Sequence, residues 1–141
     1  MIPISTSHAL IHTLHQLSRN LTNRVNEVLK PFGLYSAQWA VIFVLKTRET
    51  LTQKELCEYL SVEAPPLTRT IQRLVKQGYV KQVQGYDKRE KHIQLTEEAL
   101  RRYPEWEKSV NDLNHSLLKD LPSTSQDNLS ELLKIWLLQI S

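Results

Sequence analysis

The sequence predicts a mostly helical fold with one small β-hairpin, and three observations carry that prediction. Apolar residues recur at three- and four-residue spacing over most of the chain. Only two short segments alternate as half-buried strands do. Glycine is scarce, with three in 141 residues, which disfavours a turn-rich β fold. This length fits one domain. A chain of that size buries roughly 70% of its unfolded surface, so no disulfide or metal staple is required.

Leu10, Leu14, Leu17, Leu21, Val25 and Val28 form one apolar stripe on a long first helix, about residues 6–30. Pro31 and Gly33 end it. Ser36 is placed to cap a second helix through about Lys46, carrying Trp39, Ile42, Phe43 and Leu45. Thr52-Gln53-Lys54-Glu55 is a capping box, in which hydroxyl and carboxylate satisfy free backbone N–H groups reciprocally. It opens a short third helix. After Ser61-Val62, Pro65 starts a fourth helix, where its missing N–H costs nothing, and Gly78 ends it.

The period then changes. Val80–Val83 and His92–Leu95 read as strands around a polar loop with a charged tip. Thr96 caps the next helix, with Glu97 and Glu98 complementing its dipole. Pro104 is expected to kink or restart that helix. Ser123-Thr124-Ser125-Gln126 reads as a second capping box, opening a last helix with Leu129, Leu132, Leu133, Trp136, Leu137 and Ile140. The third and fourth helices with the hairpin make a winged helix-turn-helix, flanked by N- and C-terminal dimerisation helices. The expected division is one domain over 1–141, with a DNA-binding lobe at about 34–98 and dimerisation helices at about 5–30 and 99–141. Terminal helices this apolar require a partner, and a second copy is the simplest one. Leu10, Leu14, Leu17, Leu129, Leu133, Trp136, Leu137 and Ile140 are the expected dimer contacts.

Net charge is +3, and its distribution says more than its size. Residues 69–91 hold seven basic residues against two acidic ones, net +5, while the rest of the chain nets −2. A basic block on a near-neutral body is the footprint of a polyanion-binding element. At about 100° per residue, Leu67, Leu74 and Val75 fall within about 60° of Ile71 on the fourth helix. Pro66, Arg69, Arg73 and Lys76 fall about 140–160° away, with Thr70 and Gln72 flanking at about 100°. No acid occurs between Leu67 and Val83, whereas a merely solubilising face mixes both signs. A helix of this kind fits the major groove, where Arg pairs with guanine and Gln with adenine. Pro66, Thr68, Arg69, Thr70, Gln72, Arg73 and Lys76 are therefore candidate DNA contacts. Lys88, Arg89 and Lys91 on the wing are candidates for phosphates or a narrow minor groove. Asp87 is expected to pair with a nearby Arg and hold the tip in shape.

The runs Leu51-Thr52-Gln53-Lys54-Glu55-Leu56, Leu67-Thr68-Arg69-Thr70-Ile71-Gln72-Arg73-Leu74-Val75-Lys76-Gln77-Gly78-Tyr79-Val80 and Asp87-Lys88-Arg89, followed by Ile93-Gln94-Leu95-Thr96, resemble the multiple antibiotic resistance regulator (MarR) family. The order of helices matches over nearly the whole chain. The resemblance implies a homodimer with intertwined terminal helices that binds a pseudo-palindromic operator, often as a repressor. It also implies a small aromatic or anionic effector that releases the DNA. Two departures stand out: Ala99 where many members have glycine, and the Pro65-Pro66 pair at the start of the fourth helix.

Other groups point less far. Tyr35, Trp39, Tyr103 and Trp106 are placed to line an effector pocket, although aromatics at helical spacing are commonly core. His8, His12 and His15 share one side of the first helix, but lack the companion ligands a metal site needs. Cys57 has no second cysteine to pair with, and a lone cysteine inside a helix commonly behaves as a small buried hydrophobe. No phosphate-cradling glycine loop, G-x-S-x-G or H-E-x-x-H occurs, so neither an enzyme nor a cofactor is expected. The alternative is a winged-helix module that binds protein without specific DNA recognition. With neither a signal-peptide pattern nor an apolar run near the ~20 residues of a membrane span, the expected location is the cytoplasm.

Overall fold

The computed structural model describes residues 5–85 and 89–141. Helix α1 (Thr6–Leu29) starts at Ser5, whose hydroxyl accepts from the His8 N–H. A 3₁₀ turn (Lys30–Phe32) and Gly33, at φ 72°, end it. Then follow α2 (Ser36–Arg48), β1 (Thr50–Thr52), α3 (Gln53–Leu60), α4 (Ala64–Gln77), β2 (Val80–Gln84), β3 (Lys91–Leu95), α5 (Glu97–Leu118) and α6 (Ser123–Ile140). The mostly helical architecture with a small hairpin is as the sequence predicts.

The predicted hairpin is part of a three-stranded antiparallel sheet in the order β1-β3-β2. Leu51 and Gln82 both stand opposite Ile93, which is buried at the sheet centre. Strand β1 was not predicted, because three residues are too few to show an alternation. The Thr52 capping box is present in full, with Thr52 accepting from the Glu55 N–H and Glu55 from the Thr52 N–H. Between α3 and α4 the chain turns through Ser61, at φ 55°, whose N–H closes on the Cys57 and Glu58 carbonyls. Gly78, at φ 83°, ends α4 and feeds β2.

Two local expectations are corrected. Ser36 is the first residue of α2, not its cap; Tyr35 holds that position, and the Ser36 N–H donates to Asn26 Oδ1 at 2.7 Å. Ser123 makes no capping bond, because Pro122 precedes α6 as its cap residue and Gln126 is used elsewhere. The Gln126 amide donates to the Leu118 and Leu121 carbonyls, at 3.0 and 2.9 Å, and so closes the end of α5. Helix α5 runs on through Pro104 without a restart.

Among the described residues, every buried hydrophobic side chain lies between Leu29 and Val110. The core therefore does not stop at residue 98. Tyr103, Trp106 and Val110 of α5 pack into it alongside Leu29 of α1. Among the described residues, no single helix is long and apolar enough to cross a membrane.

Candidate nucleic-acid interface

Helix α4 is anchored from its inner face and presents its outer one. Leu67, Thr70, Ile71 and Leu74 are buried, while Val75, expected in the core, is 44% exposed. At about 100° per residue, this buried set centres about 50° from Ile71, toward Thr70 and Leu74. The rotation puts Arg69, Gln72 and Lys76 in the middle of the outward face, with Pro66 and Arg73 on its flank. All five are exposed. Among the described residues no carboxylate pairs with Arg69, Arg73 or Lys76, so the face keeps its positive charge.

Thr70 is corrected by the same rotation. Its side chain is buried and its hydroxyl donates to the Pro66 carbonyl at 3.1 Å, so it is a core residue and not a base contact. Thr68 is half-buried. Its hydroxyl donates to the Ala64 carbonyl at 2.9 Å and accepts from the Gln53 amide at 2.6 Å. That pair locks the start of α3 to the start of α4 and leaves Thr68 little capacity for DNA. At the helix start, Pro65 and Pro66 carry no N–H, and the Leu67 N–H is already bonded to the Glu63 carbonyl. The first turn thus offers apolar pyrrolidine surface rather than a row of free donors.

The wing flanks α4. Arg89 and Lys91 are exposed; Asp87 and Lys88 lie outside the described residues. At the wing base the His92 ring stands 3.3 Å from the Thr50 hydroxyl and 3.5 Å from the Glu90 carboxylate. A Cβ at Gly85 would meet that ring, so a larger residue there would require the His92 side chain to move. Thr96 ties β3 back to the recognition element by donating to the Gly78 carbonyl at 2.6 Å.

The four aromatic residues proposed for a pocket make three separate sets of contacts among the described residues. Trp106, 1% exposed, is core and meets Tyr79 edge-on at 4.8 Å. Tyr103 is also buried and stacks on half-buried Trp39 at 5.5 Å. Burial first, and then a hydrogen bond to Glu107, push its hydroxyl up to about 12. Tyr35 faces elsewhere: Arg73 lies 5.6 Å over its ring and donates to its hydroxyl. Sequence reasoning missed this pair and a second one beside it, Gln38 with Gln77 at 2.6 Å. Cys57 is half-buried and packs against the core, while His8, His12 and His15 are exposed along α1.

The expected dimer contacts are mostly exposed within one chain. Leu10, Leu17, Leu129, Leu133 and Leu137 are 41–55% exposed and Ile140 72%, while Leu14 and Trp136 are half-buried. Helix α6 buries no residue at all.

Comparison with known proteins agrees with this geometry. The MarR family model matches residues 32–90. Over 130 residues the chain is 44% identical to the HTH-type transcriptional regulator YwoH of Bacillus subtilis (strain 168), which covers 92% of this chain and 95% of that protein. It is 32% identical over 127 residues to the multiple antibiotic resistance protein MarR of Escherichia coli (strain K12), over 89% of this chain and 86% of that one. A crystal structure of a mutant E. coli MarR complexed with operator DNA has a TM-score of 0.83 at 30% identity, over 92% of this chain and 94% of that one.

Proposed function

The chain belongs to the MarR family, and from that premise we propose that it is a homodimeric transcriptional repressor that reads a pseudo-palindromic DNA operator. The observation that carries the reading is helix α4. One face is fixed in the core by Leu67, Ile71 and Leu74, and the other presents Arg69, Gln72 and Lys76 without an acid among them. Such a helix enters the major groove with its polar side chains toward base edges. The wing, with Arg89 and Lys91, then lies along the flanking backbone or minor groove. Lys88 and Asp87 belong to the same proposal, as a phosphate contact and a support for the tip.

The dimer is supported by the apolar surface that α1 and α6 expose. A second copy that buries it also sets two α4 helices on one duplex. The chain is then one domain, with a DNA-binding lobe whose core extends to Val110 and terminal helices given over to assembly. A cytoplasmic location follows from the role. Release by a small aromatic or anionic ligand is part of the same proposal. Of the four aromatics considered, Tyr35 touches a side chain of the DNA-facing helix, Arg73.

The test is a titration of purified protein against duplexes it enriches from a randomised pool, at several salt concentrations. Neutralising some six to ten phosphates should lower affinity about 10³- to 10⁵-fold between 50 and 200 mM salt. Arg89→Ala should reduce the salt slope by about one, with the largest loss on A·T-rich flanks. Enrichment of no sequence would favour a module that binds protein instead.

A further inference from the structure

Two residues one turn apart at the start of α2 hold two residues one turn apart on α4. The inner pair is made of amides. The Gln38 side chain, 1% exposed, accepts from the Tyr35 N–H at 3.1 Å and donates to Gln77 Oε1 at 2.6 Å. The Gln77 amide donates in turn to the Gly33 carbonyl at 2.8 Å. Asn26 of α1 joins the same corner by accepting from the Ser36 N–H. Among the described residues no buried side-chain polar atom is left without a partner. Gln38 is buried and paired, and exposed Gln77 is bonded on both sides, so the end of α4 is tied to the first turn of α2.

The outer pair stands on that frame. Arg73, one turn before Gln77, lies over the Tyr35 ring and donates to its hydroxyl. Arginine has a planar fork that is useful for bidentate recognition only when it is aimed. On an exposed helix flank it would otherwise sample many rotamers, and binding DNA would have to order it. The Tyr35 hydroxyl supplies a fixed acceptor, and the ring lies within cation–π range of the guanidinium.

We propose that Tyr35 is a positioning residue for DNA reading, one that orients Arg73 toward a particular base pair before the operator arrives. The proposal rests on the operator-binding reading above and goes further, by assigning a specificity role to a residue outside the helix-turn-helix.

The experiment is a double-mutant cycle on a duplex that the wild-type protein enriches from a randomised pool, and on single-base-pair variants of it. The proteins are wild type, Tyr35→Phe, Tyr35→Leu, Arg73→Ala and the two double variants. Tyr35→Leu should weaken binding roughly three- to tenfold and should lose discrimination at the same base pair as Arg73→Ala. Tyr35→Phe, which keeps the ring, should fall between. In the Arg73→Ala background neither Tyr35 change should add a further loss. Additive losses, a uniform loss on every duplex, or tighter binding by the Tyr35 variants would each overturn the proposal. Should Tyr35→Leu fail to fold, the Tyr35→Phe cycle decides alone. An Arg73→Ala protein that reads the duplex as wild type does would also overturn it, while leaving operator binding intact. A wild-type protein that enriches no sequence would instead remove the operator reading itself.

Discussion

The molecule divides into a middle that is complete and ends that are not. From Leu29 to Val110 most apolar side chains pack on one another, with Phe43, Tyr59, Val62, Val75 and Leu100 exposed singly, and α4 presents a basic face. Outside that span Leu10, Leu17, Leu132, Leu138 and Ile140 face outward, and α6 buries nothing. Both regions expose an unpartnered surface, but of opposite chemistry. A row of arginine, glutamine and lysine is stable in water and acts at long range on a polyanion. A row of leucines is not stable in water and calls for a surface like itself. The helical period is equally regular in the two regions, so periodicity gives the helix and composition of the exposed face gives the partner.

The sharpest way to break this contrast is to put a charge on the apolar end. Leu133 is 41% exposed in one chain and, under the proposed dimer, buried between two. Leu133→Asp should cost about 3–5 kcal/mol through an unpaired buried charge, enough to dissociate or unfold the protein. Sedimentation of wild type and variant checks it. A variant that sediments and melts as wild type does would mean that this face is not an interface, and the two regions would lose their distinction.

A smaller effect should come from the opposite surface. Arg69 lies in the middle of the outward face of α4, so Arg69→Ala should weaken operator binding by about 1–3 kcal/mol and relax the preference at one base pair. It should leave the assembly unchanged, because nothing in the core depends on it. Equal losses on enriched and random duplexes would reduce Arg69 to a phosphate contact. A change in oligomeric state would show that the two surfaces are not independent.

How far the sequence could be read follows the same division between local and distant. The helices and the Thr52 cap were legible because their signals lie within four residues of one another. The apolar ends were legible from spacing alone. Strand β1 was not, because three residues carry no period. Thr70 was misassigned because a wheel centred on Ile71 points about 50° away from the true core direction, and nothing local reveals that Val75 lies at the core edge. The Ser123 box failed because Gln126 had better partners in the carbonyls ending α5, eight and five residues back. The contacts Arg73–Tyr35 and Gln38–Gln77 span 38 and 39 residues, and no periodicity reports pairings at that distance. Of the wing, Asp87 and Lys88 lie outside the described residues.

The smallest effect concerns the middle alone. Thr52→Ala removes a hydroxyl that accepts from the Glu55 N–H at 3.1 Å, and should cost about 1 kcal/mol of stability. For a chain of this size that is roughly 2–5 °C in Tm. The partner half of the box has a pH signature. The Thr52 backbone N–H, and then its side chain, hold the Glu55 carboxyl below its ordinary value of 4.5. A folded-state pKa lowered in this way means that the bond contributes fully above the ordinary carboxylate range and fades as pH falls through the folded value. In thermal melts Glu55→Ala should therefore lose less stability than wild type as pH falls below 4.5, whereas Thr52→Ala, which keeps that backbone N–H, should lose nearly as much as wild type. The cap sits at the start of α3, away from both terminal helices, so Thr52→Ala should sediment as wild type does at every pH where both are folded. If Thr52→Ala lowered the dimer affinity instead, the capped helix-turn-helix would be coupled to the apolar ends. The middle of the molecule would then not be the self-sufficient unit that its buried core implies.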